Sequence, residues 1–305
     1  GLPGRPLQVK SGEESRMSIK SVISMDGGGT HLRVTAISGD GQLRKSYRTG
    51  VNLTAVSMEY LISIFSMVKS DLWMPDVIVA AFSGAGDQER KDKLSGALKT
   101  AFYGASIEVM MDIEGLYRAA VGSGRGVVVI SGTGSTVYGH DDEGTPFRSG
   151  GWGHIFDDEG SSFWMSREII TSALRYRDGL LPHDPIFDLL LEFYSVESIE
   201  KLVNLTILQD FKTKIASFSK VALERPTPLV KEIVDEGIGL LARRTLKVLE
   251  KTGPVDSISV HGGSFQSAYY RERFTRALGG HKISLFEGNV DEILAKQVFD
   301  TLNRS

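Results

Sequence analysis

Apolar and polar positions along the first third of the chain predict strands first and a helix afterwards. Apolar segments at residues 21–25 and 32–37, and a further segment ending at Thr49, predict three antiparallel strands, with the turn "GDGQ" joining the last two. Residues 54–72 then place apolar side chains at helical spacing. The predicted buried face of that helix consists of Leu61, Ile64, Phe65 and Val68.

The next segments predict a change to parallel pairing. Residues 76–83, "DVIVAAFS", are apolar at nearly every position, which is typical of a strand covered on both faces. A helix over residues 88–102 and a strand over residues 107–111 complete an α/β unit. We therefore expect residues 17–113 to form an N-terminal lobe.

The pattern of strand, glycine turn and strand recurs at residues 126–140, "GVVVISGTGSTVYGH". The remaining chain is rich in helical periodicity. Its predicted elements are helices at 162–177, 185–194, 207–220, 228–251 and about 290–303, and strands at 257–261 and 282–286. We expect residues 114–305 to form a second α/β lobe with a helical insertion, and the terminal helix to pack back on the first lobe.

Composition and charge argue against several classes of partner. The 305 residues have a net charge of -3 and no cysteine, which gives no basis for nucleic-acid or anionic-membrane binding and no thiolate for a metal cluster. The apolar runs are far shorter than the ~20 residues that span a bilayer. Residues 1–16 are polar and lack the apolar segment of a signal peptide. We interpret them as a vector leader or disordered extension and expect a cytoplasmic protein.

Two glycine-rich segments are the strongest candidates for chemistry. They are "DGGGT" at residues 26–30 and "SGTGS" at residues 131–135. Each is either a tight hairpin turn, for which glycine supplies positive φ, or a loop whose backbone N–H groups face a phosphate. Two such turns facing one cleft can hold a polyphosphate from both sides, which favours the second interpretation. No P-loop sequence is present, and "GSGRG" at residues 122–126 is interpreted as a linker.

These two turns and four further segments resemble a known family. "DGGGT", "ISGTGS" and "VHGGSF" resemble the two phosphate motifs and the adenosine motif of the actin, hexokinase and heat-shock-chaperone ATPase superfamily. "SGAGDQE", "MDIEGLYRAAVG" and "GGWGHIFDDEGSSFWMSRE" resemble its N-acetylglucosamine kinase branch, which includes the BadF/BadG-type ATPases. The resemblance implies two ribonuclease-H-like lobes around a nucleotide and substrate cleft.

The resemblance assigns the nucleotide to the glycine segments. ATP would contact Gly27, Gly28, Gly29, Thr30, Gly132, Thr133, Gly134, Ser135, Gly262, Gly263 and Ser264. Asp26 would orient Mg²⁺ through water, because Mg²⁺ keeps much of its hydration shell. From the residues alone, Asp26 can instead satisfy turn amides, and Ser264 can cap the helix that follows a plain turn at Gly262.

The resemblance also assigns an acceptor site. The residues that match the family's sugar contacts are Asn52, Asp112, Gly151, Trp152 and Asp158. Asp112 matches the base that takes a proton from the sugar hydroxyl. The residues alone leave other roles open, namely Asp112 as a helix N-cap, the acids at 157–159 as first-turn residues of a helix, Trp152 as a core side chain, and His154 as a satisfied structural histidine. The surroundings of Asn52 depart from the family's pattern.

The expected protein is an ATP- and Mg²⁺-dependent kinase that phosphorylates a hydroxyl of an amino sugar such as N-acetylglucosamine or glucosamine. One alternative is a BadF/BadG-type ATPase that drives electrons into a dehydratase, although the iron–sulfur cluster of those proteins needs cysteine thiolates. Another is an ATP-driven conformational switch without an acceptor sugar. The expected partner is a small-molecule sugar, and a homodimer is left open.

Overall fold

The computed structural model describes residues 19–29, 31–51, 53 and 56–304, so the predicted leader at 1–16 lies outside the described residues. Ten strands form two five-stranded sheets in this part of the chain. The strands are β1 (Val22–Gly27), β2 (Leu32–Ser38), β3 (Gly41–Tyr47), β4 (Val77–Phe82), β5 (Ser106–Met111), β6 (Gly126–Ser131), β7 (Ser135–His140), β8 (Pro146–Gly150), β9 (Ile258–His261) and β10 (Ile283–Leu285). The α-helices are α1 (Met58–Ser70), α2 (Gln88–Ala101), α3 (Asp112–Ala120), α4 (Ser162–Arg177), α5 (Ile186–Tyr194), α6 (Phe211–Ala216), α7 (Ser219–Glu224), α8 (Pro228–Thr252), α9 (Ala268–Ala277) and α10 (Val290–Leu302). None of these described helices is long and apolar enough to cross a lipid bilayer.

The two sheets repeat one arrangement of strands. In the first sheet, β1 lies antiparallel to β2 and parallel to β4, in the order β3-β2-β1-β4-β5. In the second sheet, β6 lies antiparallel to β7 and parallel to β9, in the order β8-β7-β6-β9-β10. Each sheet therefore begins with an antiparallel hairpin, and the two glycine segments form the β1–β2 and β6–β7 turns.

Strand β8 is an element that the sequence pattern does not predict. Its residues, "PFRSG", lack an alternation of apolar and polar side chains, and they begin with a proline. The proline is tolerated because β8 is an edge strand, which pairs with β7 alone among the described strands. The hairpin partner, rather than local propensity, makes this segment a strand.

Helices α1 and α2 cover one face of the first sheet. Leu61, Ile64, Phe65 and Val68 of α1 are buried, which confirms the helical face predicted from their spacing. The helix begins at Met58, where the Ser57 side chain accepts a hydrogen bond from Tyr60 N as the N-cap. Residues 54 and 55 of the predicted helix lie outside the described residues.

The second lobe contains a helical insertion between β8 and β9. The single helix predicted over residues 207–220 is wrong, because a 3₁₀ helix ends at Ile207 and two separate helices, α6 and α7, follow. Ser217 lies between α6 and α7, and its hydroxyl donates to Lys214 O at 2.6 Å. Such a bond competes with continued helical hydrogen bonding.

Helices α3 and α10 connect the two lobes. α10 follows the second sheet in the chain but packs on β1 and β2 of the first, whereas α3 follows the first sheet and lies between the two, packing on β4 and β5 of the first and on β6 and β7 of the second. Asp291 in the first turn of α10 is fully buried, and it accepts hydrogen bonds from Thr35 Oγ1 (2.8 Å) and Arg44 Nε (2.8 Å). The lobes are therefore joined by an exchange of helices.

Candidate active site

The first glycine turn joins β1 to β2. A β-carbon at Gly27 would lie 2.3 Å from the ring of Phe82, whereas a β-carbon at Gly29 would have no atom within 4 Å. No glycine at 27–29 has a positive φ. Gly27 is therefore explained by its close packing on Phe82, and Gly29 leaves open space next to the backbone. Neither glycine is needed for a left-handed backbone. Thr30, the last residue of the predicted phosphate motif, lies outside the described residues.

The second glycine turn lies against the predicted adenosine motif. Within the turn, Gly132 N donates to Gly134 O at 2.9 Å. Gly262 has φ +111°, and a β-carbon there would lie 2.4 Å from Ser131 O. A β-carbon at Gly132 would lie 3.9 Å from Gly263 N. The fold thus brings two glycine segments that are far apart in sequence into backbone contact.

A third segment, just before α4, supports the second turn. Asp158 Oδ1 accepts a hydrogen bond from Ser135 N at 3.0 Å, and Ser162 N donates to Gly132 O at 2.8 Å. Ser162 Oγ also lies 3.1 Å from Ser264 Oγ. One hydrogen-bonded framework therefore holds the second turn and the start of the adenosine motif together.

Ser264 does not cap the helix that follows it. Ser264 is buried and begins a 3₁₀ turn, while the N-cap of α9 is Ser267, whose side chain accepts from Tyr270 N. The capping role considered for Ser264 is therefore wrong. Thr133, by contrast, is exposed at the tip of the second turn, where its hydroxyl is accessible to a ligand.

Asp158 lies behind the second turn. Its backbone has φ +68°, which is uncommon for a residue other than glycine and concentrates at functional sites. The side chain is buried, and Oδ2 makes no hydrogen bond with a described residue, although Lys212 Nζ lies 3.6 Å away. A buried carboxylate oxygen without a donor can accept a hydrogen bond from a ligand hydroxyl.

The acids on either side of Asp158 have structural partners. Arg244 of α8 pairs with both Asp157 and Glu159, and Asp157 Oδ2 accepts from Trp152 N at 2.9 Å. The first turn of α4 contains no acid. The helix-dipole interpretation of these residues is therefore wrong, and the arginine accounts for them instead.

Trp152 is a surface side chain. It is 67% exposed, so its interpretation as a core residue is wrong. The guanidinium of Arg148 lies 4.4 Å from the centre of its ring, which is cation–π geometry. Gly151 has φ +78°, and a β-carbon there would lie 2.2 Å from Thr136 Oγ1, so the position needs glycine.

His154 in the same loop has a structural role. Its ring packs edge-on against Phe163 (5.2 Å) and Phe211 (5.6 Å). Burial, followed by the positive charge of Lys212, lowers the pKa of its imidazole. The ring packing supports the structural interpretation of His154.

Asp112 is the first residue of α3 and directly follows β5. The N-cap of α3 is Met111, whose N–H donates to Glu114 Oε2, so the N-cap interpretation of Asp112 is wrong. Asp112 Oδ1 accepts a hydrogen bond from Ile113 N at 2.9 Å. Burial, with a smaller contribution from the negative charge of Asp26, raises the pKa of Asp112 to about 6. The two carboxylates therefore belong to one electrostatic site.

Asp26, near the end of β1, opens onto a cavity of about 290 Å³ between the lobes. The cavity is lined by Asp26, Arg33, His261, Gln266, Phe286, Glu287, Gly288, Asn289, Val290 and Asp291. Burial raises the pKa of the Asp26 carboxyl, and the positive charge of Arg33, with Nη1 3.5 Å from Oδ2, opposes that rise. Asp26 of the first phosphate motif and His261, which precedes Gly262 of the adenosine motif, therefore line the same cavity.

Two charged residues of the site are absent from the recognised motifs. Arg33 lies opposite Asp26 in the β1–β2 register. The predicted hairpin could therefore have indicated that Arg33 lies next to Asp26. Arg148 lies in β8, the strand that the sequence pattern does not predict, and no signal pointed to it. Asn52 lies outside the described residues, and its sugar-binding role stays a prediction.

The two sheets of like strand order, each with a glycine-rich hairpin turn, and the helices that join the lobes define an actin-like ATPase fold of the kind shared by sugar kinases. A Porphyromonas gingivalis protein described as a candidate N-acetylglucosamine kinase superposes with a TM-score of 0.74 at 20% sequence identity, over 92% of this chain and 99% of that one. A ROK family glucokinase from Streptomyces griseus superposes with a TM-score of 0.54 at 15% identity, over 91% and 98%. These likenesses confirm the predicted fold class.

Residues 23–291 match the BadF/BadG/BcrA/BcrD ATPase family, and the chain belongs to this family. The N-acetylmuramic acid/N-acetylglucosamine kinase of Clostridium acetobutylicum is 30% identical over 215 residues, which are 67% of this chain and 70% of the relative. The N-acetyl-D-glucosamine kinase of Dictyostelium discoideum is 28% identical over 232 residues, covering 68% and 72%. The family expected from the motifs is therefore confirmed.

Proposed function

We propose that the protein is an ATP-dependent carbohydrate kinase that transfers the γ-phosphate of ATP to a hydroxyl of a hexose, and that the hexose is an amino sugar, N-acetylglucosamine or glucosamine. The observation that carries this proposal is the Asp112 carboxylate, which has a pKa of about 6 and is coupled electrostatically to Asp26. The two curated relatives support the proposal, because both are named as kinases of amino sugars.

Asp112 supplies the base of the reaction. The acceptor hydroxyl gives its proton to the Asp112 carboxylate as its oxygen attacks the γ-phosphorus of ATP. The bond between that phosphorus and the bridging oxygen breaks, and ADP leaves with the electron pair. A carboxyl with a pKa of about 6 is mostly ionised at neutral pH and is more basic than an ordinary aspartate.

The two glycine turns hold the polyphosphate of ATP. Their backbone N–H groups and the hydroxyls of Thr30 and Thr133 are the proposed donors, and the missing side chains let the phosphates approach closely. Ser135 has a supporting role in the second turn, because its Oγ donates to Glu159 O at 2.9 Å. The packing of Gly262 on the second turn supports an adenosine site next to the phosphates.

Mg²⁺ fits the acidic end of the cleft. No group of three or more His, Cys, Asp or Glu side chains forms a metal cage within the described ranges. Asp26 and Asp112 are two electrostatically coupled carboxylates, and Mg²⁺ binds one or two carboxylates together with phosphate oxygens and water. Asp26 would hold the ion through water, and the bound ion would neutralise charge on the transferred phosphate.

The acceptor sugar binds between Asp112 and the loop before α4. Trp152 offers an exposed aromatic face for the C–H surface of a sugar ring, and Asp158 Oδ2, which makes no hydrogen bond with a described residue, is the proposed acceptor for a hydroxyl. Gly151 and Asn52 are the remaining proposed contacts. These roles can be measured one by one as changes in KM for the sugar.

Release of ADP from MgATP tests the proposed function. The reaction is followed with N-acetylglucosamine, with glucosamine, with glucose and without sugar, and the product is weighed by mass spectrometry. A kinase forms one sugar phosphate for each ADP released, and Asp112→Asn abolishes both. If ADP release is the same with and without sugar and no sugar phosphate forms, the protein is an ATP-driven switch and the proposal fails.

The electron-driving ATPases of the same family are a second class to distinguish. Their iron–sulfur cluster requires thiolate ligands, and these 305 residues contain no cysteine. Iron analysis and the visible absorbance spectrum of protein purified without oxygen measure this directly. A cluster that stays bound would contradict the kinase proposal.

The organisation of the chain is part of the proposal. We assign residues 17–113 and 114–305 to the two lobes, with α10 contributed by the second to the first. A cytoplasmic location and a homodimer stay predictions, for which cell fractionation and sedimentation velocity are the measurements.

A further inference from the structure

The side chain of Arg148 crosses from the second lobe to the segment that carries the proposed base. Arg148 lies in β8, and its Nη1 donates to Met111 Sδ at 3.2 Å, where Met111 directly precedes Asp112. A β-carbon added at Gly86 would lie 3.2 Å from the same Nη1. The guanidinium also lies 4.4 Å from the centre of the Trp152 ring. Its charged end is therefore held between the two lobes, next to the start of α3.

The guanidinium of Arg148 has no oxygen partner among the described residues. Each of the other partly buried arginines in the described chain donates to a carboxylate or carbonyl oxygen; they are Arg90, Arg118, Arg125, Arg167, Arg244, Arg271 and Arg273. A thioether is only a weak acceptor, whereas a guanidinium has five N–H donors. Most of the donors of Arg148 are therefore available to an anionic ligand.

The base and the transferred phosphoryl group must lie close together. A general base acts within hydrogen-bond reach of the acceptor hydroxyl, about 2.6–3.2 Å, and the attacking oxygen of a well-oriented reactant lies about 3–3.5 Å from the atom it attacks. The attacking oxygen, the phosphorus and the leaving oxygen are roughly in line. A cation beside Asp112 is therefore also beside the group in transfer.

The described surroundings of the proposed base are short of positive charge. Burial, and after it the negative charges of Asp26 and Glu114, raise the pKa of this carboxyl. Arg33 is already paired with Asp26, with Nη1 3.5 Å from Oδ2, and Lys91 Nζ lies 3.6 Å from Glu114 Oε2. An incoming γ-phosphate adds further negative charge. Arg148 is the cation beside the base that has no acid of its own among the described residues.

We propose that Arg148 is a catalytic residue whose guanidinium binds the γ-phosphoryl group of ATP during its transfer to the sugar. The planar fork of N–H donors matches two phosphate oxygens, and positive groups neutralise the charge on those oxygens during the transfer. The guanidinium stays protonated throughout, because the proton of the acceptor hydroxyl goes to Asp112. The Trp152 ring and the Met111 thioether hold the guanidinium without neutralising its charge. The inference rests on the proposed kinase function.

Substitutions Arg148→Gln and Arg148→Lys test this role through kcat and KM. Loss of an interaction made mainly in the transition state lowers kcat and kcat/KM together. With N-acetylglucosamine and MgATP, we expect Arg148→Gln to lower kcat by about 10²–10³-fold and to change KM for the sugar by less than about threefold. Arg148→Lys restores part of kcat, because it restores the charge without the planar fork. A raised KM for the sugar with an unchanged kcat would show that Arg148 only positions Trp152, and would overturn the inference.

Binding of a transition-state analogue gives a readout without turnover. ADP, Mg²⁺ and aluminium fluoride together with N-acetylglucosamine mimic the γ-phosphoryl group in transfer, and the rise in Tm reports how strongly the complex stabilises the protein. For the wild type, fluoride is expected to raise Tm beyond its value with MgADP and sugar. Arg148→Gln is expected to lose this additional rise and to keep the rise from MgADP and sugar. An equal fluoride-dependent rise in both proteins would overturn the inference.

Arg175→Gln is the matched control. It removes the same charge from an exposed position on α4 that has no ion pair with a described residue, and it lies about 20 Å along the helix from its N-terminus at the site. Its kcat and its fluoride-dependent rise in Tm are expected to equal those of the wild type. A loss as large as that of Arg148→Gln would show that net charge, rather than this guanidinium, sets the rate, and would count against the inference.

The outcomes for the proposed function and for this inference are distinguishable. If the wild type forms no sugar phosphate from N-acetylglucosamine or glucosamine, the proposed function fails. If it does, and Arg148→Gln keeps kcat within about threefold of the wild type, the kinase stands and the inference fails. A crystal structure of the wild-type fluoride complex decides the inference where an Arg148 variant does not fold. A guanidinium nitrogen within about 3.2 Å of a fluoride supports the inference, and a guanidinium that contacts only the sugar or solvent overturns it.

Discussion

At the residue scale, Asp112, the proposed base, combines a requirement of catalysis with a cost to stability. A base must be ionised to accept a proton, yet burial, together with the charge of Asp26, disfavours the ionised form of this carboxyl. The hydrogen bond from Ile113 N offsets only part of that effect. The same side chain therefore predicts one measurement on activity and another on folding.

Activity is expected to fall on the acid side of neutrality. Because the pKa of Asp112 is raised to about 6, the base becomes protonated as the pH drops through 6, and kcat/KM for the sugar then decreases about tenfold per pH unit. Initial rates at saturating ATP between pH 5 and pH 8 measure this profile. A kcat/KM that stays constant down to pH 5 would mean that the base is another group.

Substitution Asp112→Asn is expected to remove phosphoryl transfer and to stabilise the fold. A folded-state pKa above the model value of 3.8 means that the folded chain binds the proton more tightly. The stabilisation that this carboxyl provides when protonated is lost as the pH rises from about 4 through 6. The uncharged asparagine avoids that loss, and we expect a gain of about 1–2 kcal/mol at pH 7.5, allowing for partial exposure.

Urea unfolding of both proteins at pH 7.5 and pH 4 measures this gain. Asparagine keeps the acceptor for Ile113 N, so the difference should nearly vanish at pH 4, where the wild-type carboxyl is largely protonated when folded. Equal differences at the two pH values would show that the stability effect does not come from ionisation.

At the element scale, the first phosphate motif at residues 26–30 and the adenosine motif at residues 260–265 of the proposed nucleotide site are rich in glycine for different reasons. Gly27 packs on Phe82 with an ordinary backbone, whereas Gly262 combines φ +111° with backbone contact to Ser131. The sequence shows only that both segments are rich in glycine. Whether a glycine is required for close packing or for a positive φ depends on neighbours that are distant in the chain, Phe82 for Gly27 and Ser131 for Gly262.

Gly262→Ala is expected to weaken ATP use. A β-carbon 2.4 Å from Ser131 O forces the adenosine motif away from the second turn, and a displacement of about 1 Å can cost up to 100-fold in rate. We expect kcat/KM for ATP to fall by about 10- to 100-fold. Gly239→Ala is the control, because a β-carbon there meets no atom within 4 Å in the middle of α8, and it should raise stability by ~0.5–1 kcal/mol. Equal ATP kinetics for the two variants would contradict the proposed role of Gly262.

Elements with strong local periodicity could be predicted, and elements that depend on a distant partner could not. The spacing of the apolar residues predicts helix α1, and the uninterrupted run of apolar residues predicts strand β4. The edge strand β8 needs its pairing with β7, and the break between α6 and α7 needs the hydrogen bond of Ser217 to Lys214. Arg148 was missed because it lies in β8, the edge strand that the sequence pattern does not predict.

At the scale of the whole molecule, the site assembles from segments far apart in the chain. The repeated glycine hairpins allowed the sequence to predict that two turns face one cleft. The coupling of Asp112 to Asp26, the framework around Ser162 and the free guanidinium of Arg148 arise from tertiary packing. Motif resemblance therefore identified the residues of the candidate site, whereas the charge pairing among them could be described only from the structure.

The packing of α10 on the first sheet predicts that its buried acid, Asp291, stabilises the contact between the lobes. Asp291→Ala leaves Thr35 without its acceptor at a fully buried position and leaves Arg44 with Glu292 alone, and we expect the free energy of unfolding to fall by about 2–4 kcal/mol. Glu292→Ala removes a neighbouring, more exposed partner of the same arginine and should change it by less than about 1 kcal/mol. Guanidinium unfolding measures both, and a larger loss for Glu292 would show that the buried acid is not the connection.

The helix exchange also has a consequence for biosynthesis. The last strand of the first sheet ends at Met111, but the helix that covers β1 and β2 begins at Val290. At a synthesis rate of about 5–20 residues per second, roughly 10–35 s pass between the two. During that interval the ribosome-bound first lobe lacks the packing of Val290 and Leu294 near Val79 and Ala81 of β4 and the acceptor of the Thr35 hydroxyl, so its folding is completed only when α10 emerges.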